Sequence, residues 1–275
     1  RSTRVRSSAA SDVYKRQTLS RCQCDNEDVN TLRLFMDIGA MMIRNGSEVK
    51  RVEDTLRRMG KAYGAERMDV FAITSTLVCT MNMPDGTVCS MTRGTRDGTK
   101  TDFWKLERIN ALSREYCRKK IDTDKLKICI EDIEHSSAPR FRVCLGSVLA
   151  AGTLAVFFGG NILDGVFAAV FALAIWLMQV YFAPVCTNNI LFNFVCSFVT
   201  GVLIGVAGHI FPIHGDKVMI GDIMLLIPGL ALTNAVKDMF VGDTITGSLR
   251  LVESLLWAVA IACGFALAVY VVGGV

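Results

Sequence analysis

The chain has 275 residues, 51% of them apolar, a formal net charge of +4 and a mean hydropathy of +0.38. That balance is mild and shows no basic stripe, so nucleic acid is not an expected partner. The average hides a division near Arg140. Residues 1–140 hold 26 of the 30 Lys and Arg and 20 of the 26 Asp and Glu; the remainder carries four basic and six acidic side chains.

Residues 1–27 read as a disordered or non-native segment. Arg1-Ser2-Thr3-Arg4-Val5-Arg6 has no apolar core of the kind a secretory signal needs. Cys22-Gln23-Cys24 has the wrong spacing for a zinc ribbon, and no second Cys or His pair completes it. No metal site is expected, and the ten cysteines read as reduced thiols rather than a disulfide framework.

Residues 28–138 read as a small cytoplasmic α+β domain. Leu32, Leu34, Phe35, Ile38, Met41 and Met42 recur at helical spacing, and Asn45-Gly46 ends that helix. Ser47 is a candidate cap for the next, whose apolar stripe is Val49, Val52, Leu56 and Met59 and whose end is Gly64. The β-branched and aromatic run Met68–Met81 predicts one or two strands. Pro84-Asp85-Gly86 turns the chain into another, Thr87–Met91. Two helices follow, near residues 102–119 and 123–134, completing the α+β order.

Catalytic signals are missing from this part. Gly94-Thr95-Arg96-Asp97-Gly98-Thr99-Lys100-Thr101 resembles a P-loop at a glance, but its glycines are one residue too close and Thr99 separates Gly98 from Lys100. There is no Gly-x-Ser-x-Gly elbow and no evident nucleophile–base pair, so neither enzyme activity nor a cofactor is expected. Arg51, Glu53 and Asp54 form a charged cluster that reads as a solvated or domain-contact face, with a regulatory role as the alternative.

From residue 139 to 275 the chain reads as an α-helical polytopic membrane domain. Five apolar segments, near 143–159, 162–182, 189–211, 218–236 and 251–272, approach the roughly 20 residues a span requires. Gly201, Gly205 and Gly208 give the third a close-packing face. Arg140, Arg142, Lys237 and Arg250 fall on one side of a five-span arrangement, opposed by Lys217. The positive-inside rule then predicts a cytoplasmic N-terminal domain and an external C-terminus.

The fourth segment is the informative one. Pro228-Gly229 breaks a membrane helix, which survives only where protein or a watery cavity satisfies the freed backbone groups. Thr233, Asn234, Asp238 and Asp243 follow it, Asp222 precedes it, and Arg250 opens the fifth segment with Glu253 at pairing distance i,i+3. Intramembrane carboxylates mark ion or substrate paths, and transporters place their sites at half-helix ends. Asp238, sharing a helical face with Asn234, is the expected titrating carboxylate. The bland alternative for Asp238, Asp243 and Arg250 is a loop-anchoring salt-bridge network. Asp164, at a span entrance, reads as an ordinary helix-terminal charge.

Pro228-Gly229, Thr233-Asn234-Ala235, Asp238, Gly242-Asp243, Gly247 and Arg250 resemble the membrane signature of the threonine/serine exporter family. Gly46-Ser47-Glu48 and Arg51-Val52-Glu53-Asp54-Thr55 are similar to that family's N-terminal domain. The resemblance implies proton-driven export of small hydrophilic metabolites across a cell membrane: threonine and serine, or in some members a dicarboxylate such as succinate. It implies lipid as surroundings. It also implies a second small membrane subunit of four or five spans in a hetero-oligomer, because the chain carries five apolar segments, like the split members. A membrane-anchored hydrolase and a non-transporting scaffold are the alternatives from other classes.

Overall fold

Hydrophobic spacing in the first hundred residues builds two helices, the first buried on nearly every side in its second half and the second buried along one face. The computed structural model describes residues 25–95, 101–119, 121–183, 185–186 and 188–273. Residues 1–24, with Cys22-Gln23-Cys24, and most of the P-loop-like stretch lie outside those residues; Asn26 and Glu27, expected to belong to a disordered segment, are instead the start of the first helix. Helix α1 is Asn26–Arg44 and α2 is Val49–Tyr63. Asn45 closes α1, Gly46 follows at φ 88°, and Gly64 ends α2 in the left-handed region at φ 118°, where a Cβ would be strained. Ser47 is not the cap: the residue at that position is Glu48, so α2 starts one residue later than the sequence suggests.

The predicted strand run divides at Thr74-Ser75 into β1, Arg67–Ile73, and β2, Thr76–Asn82; β3 is Val88–Gly94. They form an antiparallel sheet in the order β1-β2-β3, with Val70 opposite Cys79 and Cys79 opposite Met91. Alternation sorts the faces: Met68, Val70, Ala72, Leu77, Cys79, Met81 and Cys89 are buried, while Phe71 on the other face is exposed. Helices α3, Phe103–Arg118, and α4, Thr123–His135, complete the core around Phe35, whose ring meets Tyr116 edge-on at 5.3 Å. Burial pushes the Cys79 thiol up to about 12, so it stays a protonated, inert core group. Seven cysteines are free among the described residues, but Cys89 is disulfide-bonded, an exception to the reduced reading.

The chain divides into two compact units, one made of residues up to Ser136 together with Phe240–Thr246, the other of Ser137–Met239 and Gly247–Val275. The second is helical. Helices α5, Arg140–Phe157, α6, Ile162–Tyr181, α7, Asn189–Ile210, and α10, Thr244–Val272, are each long and apolar enough to cross a membrane. Helices α8, Gly215–Leu226, and α9, Gly229–Phe240, pass that test together as a bent pair, giving up to five spans. Large apolar side chains such as Phe157, Val166, Leu203, Val259 and Tyr270 stand exposed on these helices, as lipid-facing surfaces do. The interior instead packs small residues: Ala151, Ala155, Ala168, Ala172 and Ala268 are fully buried.

Where helices meet, glycines let backbones touch. At Gly201 a Cβ would lie 2.6 Å from the Ala268 methyl, and at Gly264 one would lie 2.5 Å from the Phe194 carbonyl oxygen. Helices α7 and α10 therefore pack backbone to backbone, the close-packing face predicted for the third segment. A Gly264→Leu substitution meets backbone that cannot move aside, and should cost about 1–3 kcal/mol. The expected result is a lower melting temperature in detergent; an unchanged one would contradict this packing.

Candidate functional site

Among the described residues one apolar segment of the second unit breaks in mid-span, and the cause is local. Pro228 has no N–H, so the Met224 carbonyl loses its usual donor. Helix α8 stops at Leu226, the Gly229 N–H turns back to the Ile227 carbonyl at 2.8 Å, and the Leu232 N–H restarts the ladder on Pro228 O at 3.0 Å. The axes of α8 and α9 differ by 55°. Beyond the break, the Thr233 hydroxyl donates to the Gly229 carbonyl at 2.9 Å, and Asn234 is half-buried.

One turn later the two ionised groups of the fourth and fifth segments meet. Arg250 Nη1 donates to Asp238 Oδ2 at 2.9 Å, and the side chains are 7% and 3% exposed. Gly247 makes the approach possible, because a Cβ there would lie 2.7 Å from the Ala235 carbonyl oxygen. From that contact Arg250 and Asp238 are each three residues further along their helices, on the same side. Arg250 does not take the expected i,i+3 partner: Glu253 is exposed, and the guanidinium goes to the carboxylate that has left water. Asp243, half-buried, follows Gly242 at φ 102° and immediately precedes α10.

Asp222 is placed differently. It sits on α8 with no exposed surface, and neither carboxylate oxygen has a hydrogen-bond partner among the described residues. Its neighbour Gly221 holds α8 against α5, where a Cβ would lie 2.6 Å from the Ala151 carbonyl oxygen. Across on α7, the Thr200 hydroxyl is buried with no oxygen or nitrogen partner among the described residues; the Cys196 thiol, one turn earlier, is its neighbour and also feels the charge of Asp222. Sequence reading missed Thr200 and Cys196, because each is an ordinary span residue and Asp222 is more than twenty positions away.

Asp164 does more than cap its helix. It accepts from the Asn161 N–H at 2.7 Å and, fifty residues on, from the His214 N–H at 2.8 Å, with His214 Nδ1 at 3.0 Å. It thereby ties the start of α8 to the start of α6. The sequence reading took Asp164 as a helix-end charge, with no partner fifty residues away.

In the first unit the Arg51, Glu53 and Asp54 cluster works locally. Arg57 pairs with Glu53 at 3.0 Å and with Asp54 at 3.5 Å, Glu53 Oε1 accepts from the Ala72 N–H, and Arg51 is exposed. A separate cleft of about 390 Å³ is lined by Arg33, Asp37, Arg44, Arg93, Lys127 and Glu131 among others. Arg93 pairs with Asp37, whose carboxyl burial pushes above the ordinary range against the pull of that guanidinium. Among the described residues no group of three His, Cys, Asp or Glu could hold a metal ion.

Comparison with known proteins gives a consistent result. The family model described as "Putative threonine/serine exporter" matches residues 33–272. A protein of Escherichia coli (strain K12) named "Probable succinate transporter subunit YjjP" is 25% identical over 249 residues, covering 88% of this chain and 94% of the relative. A protein of the same name from Klebsiella aerogenes is 24% identical over 233 residues, covering 83% and 86%. No solved structure matches.

Removing one half of the buried ion pair leaves the other charged in an apolar site, at a cost of roughly 3–5 kcal/mol. Arg250→Leu should therefore lower the melting temperature in detergent more than the double change Arg250→Leu with Asp238→Leu. Equal losses would mean that the two groups do not depend on one another.

Proposed function

The chain belongs to the threonine/serine exporter family, and from that membership we propose that it is a subunit of a secondary-active exporter of small hydrophilic metabolites, driven by the proton gradient. The observation that carries the reading is the α8–α9 break with the buried Asp238–Arg250 pair just past it. Half-helix ends at membrane depth are where transporters bind substrate, and a charge pair there costs too much to be incidental.

The pair suits a zwitterion. Arg250 offers a planar fork to an α-carboxylate, and Asp238 offers an acceptor to an ammonium. A threonine- or serine-like amino acid would exchange the internal pair for two external ones without leaving either charge bare. Pro228, Gly229, Thr233 and Asn234 are the further candidates for the substrate path, and Asp243, beyond the end of α9, is a candidate by its sequence position alone. A second reading, a succinate-type dicarboxylate, is favoured by the names of the two relatives. Such a substrate would use Arg250 but be repelled by Asp238.

The same comparison supports an assembly. Both relatives are called subunits, which supports a hetero-oligomer completed by a second small membrane protein of four or five spans. With α8–α9 counted as one broken span, Arg140 and Arg142 support a cytoplasmic helix-and-sheet unit and an external C-terminus in the cell membrane. A reporter fused at Val275 should accordingly read as external; a cytoplasmic signal would overturn the five-span topology.

Substrate flux in vesicles holding the chain and its partner tests the function. Proton-driven export of threonine or serine is expected, reduced by Pro228→Ala through loss of the break and abolished by Asp238→Asn. If instead succinate is exported and Asp238→Asn leaves that flux standing, the dicarboxylate reading replaces the zwitterion one. Flux of neither class would end the export reading.

A further inference from the structure

Two carboxylates lie on either side of the Pro228 break, and they are held in opposite ways. Asp238 has the Arg250 guanidinium at 2.9 Å. Asp222, six residues before the break, is fully buried and neither of its oxygens has a partner among the described residues. A bare carboxylate cannot rest there as it would in water, since hydrocarbon and packed protein offer it no solvation. Something supplied from outside the fold must complete the site.

The surroundings narrow what that is. The ionisable groups of the elements packed against α8 are few. Helix α5 presents Ala151 and Ala155, neither ionisable, at the contact with Gly221. On α6 the carboxylate at the near end, Asp164, is already taken by Asn161 and His214. On α7 there are Cys196, within reach of Asp222, and His209, whose Nδ1 lies 2.9 Å from its own helix's Gly205 carbonyl. On α8 itself Lys217 pairs with Asp216 at 3.2 Å, five residues and more than a turn from Asp222. No cation faces it from these elements. The remaining oxygen on offer is that of Thr200, one turn from Cys196 on α7, whose buried hydroxyl has no oxygen or nitrogen partner among the described residues and only the Cys196 thiol beside it. One carboxylate and one hydroxyl are too few oxygens to replace the shell of a hydrated metal cation, but they suffice for a proton, which needs one oxygen to bond and one to receive.

We propose that Asp222 is the proton-carrying carboxylate of this protein, with the Thr200 hydroxyl as its hydrogen-bond partner in the α7–α8 interface. The inference rests on the export reading for its purpose and not for its chemistry. Proton uptake converts a carboxylate to a carboxylic acid and release restores it, with no other bond made or broken. Release requires water to reach Asp222, and the nearest backbone able to admit it is the Ile227–Gly229 break less than two turns away. Asp238, paired with Arg250, is then left to the substrate, so coupling ion and cargo occupy opposite halves of one broken helix.

Two measurements test this. In infrared spectra of the purified chain in nanodiscs, taken at a pH where exposed carboxylates are ionised, the carbonyl stretch of a protonated carboxylic acid should appear, be lost in Asp222→Asn, persist in Asp238→Asn and shift in frequency in Thr200→Val. In vesicles with the partner subunit, wild-type export should accelerate when a pH gradient is imposed, and Asp222→Asn should lose that response. A stretch that survives Asp222→Asn overturns the proposal, as does an Asp222→Asn complex that keeps the wild-type pH response, or export that follows a sodium gradient alone. Should Asp222→Asn fail to assemble, an unshifted stretch in Thr200→Val overturns the assigned partner. A wild-type complex that moves no substrate would end the export reading, while the infrared arm still decides Asp222.

Discussion

In a medium without water every polar group must find its partner inside the protein, and the second unit is organised by that demand. Ordinary helix meets it residue by residue. Pro228 violates it, and the chain responds with the short Gly229–Ile227 turn, the Thr233 side-chain bond and a change of direction. The charges obey the same rule except at Asp222, whose oxygens have no partner among the described residues. Asp164 is saturated by three donors, Asp238 by Arg250, and His214 is absorbed into the Asp164 network. Small residues serve this end too: Gly221 and Gly247 remove the side chain that would otherwise hold backbones apart and keep those groups from meeting.

Much of this was legible beforehand because the signals are local. Helix periodicity, the Asn45-Gly46 and Gly64 ends, the Pro84-Asp85-Gly86 turn and the Pro228-Gly229 break each depend on neighbours a few residues apart, which sequence displays directly. Ser47 was misread because a cap depends on one residue of register, and Glu48 takes the position. What escaped was non-local. The partner of Arg250 looked like Glu253 at helical spacing, but burial decided for Asp238 across a turn. The Asp164–His214 tie spans fifty residues, and Asp222 on α8 meets the surroundings of Cys196 on α7. No periodicity encodes either, since both arise from which faces the small residues bring together.

The two units also solve their packing differently. In the helix-and-sheet unit, Phe35, Met36, Leu56, Leu77 and Met81 are buried completely, so large side chains fill the interior as water-driven collapse demands. In the helical unit many of the fully buried positions are Ala and small polar residues, while most of the Phe, Leu and Val side chains stand exposed and a few, such as Val218 and Phe265, fill the interior. That inversion is what association in lipid predicts, where apolar burial gains nothing over the solvent and close van der Waals contact decides. One chain thus carries two packing grammars, with the change at Ser136–Ser137.

The Asp164–His214 tie has a mechanical meaning. It pins the first turn of α8 to α6, and Gly221 wedges the middle of α8 against α5, so α8 is a fixed post. Helix α9 is then a lever whose fulcrum is Pro228. Asp238 sits nine residues beyond Gly229, about 14 Å along the arm at 1.5 Å per residue. A swing of about 10° at the fulcrum would carry its carboxylate roughly 2 Å, comparable with the whole length of the Arg250 hydrogen bond. A joint of this reach turns a change too small to disturb the post into one large enough to open the clasp.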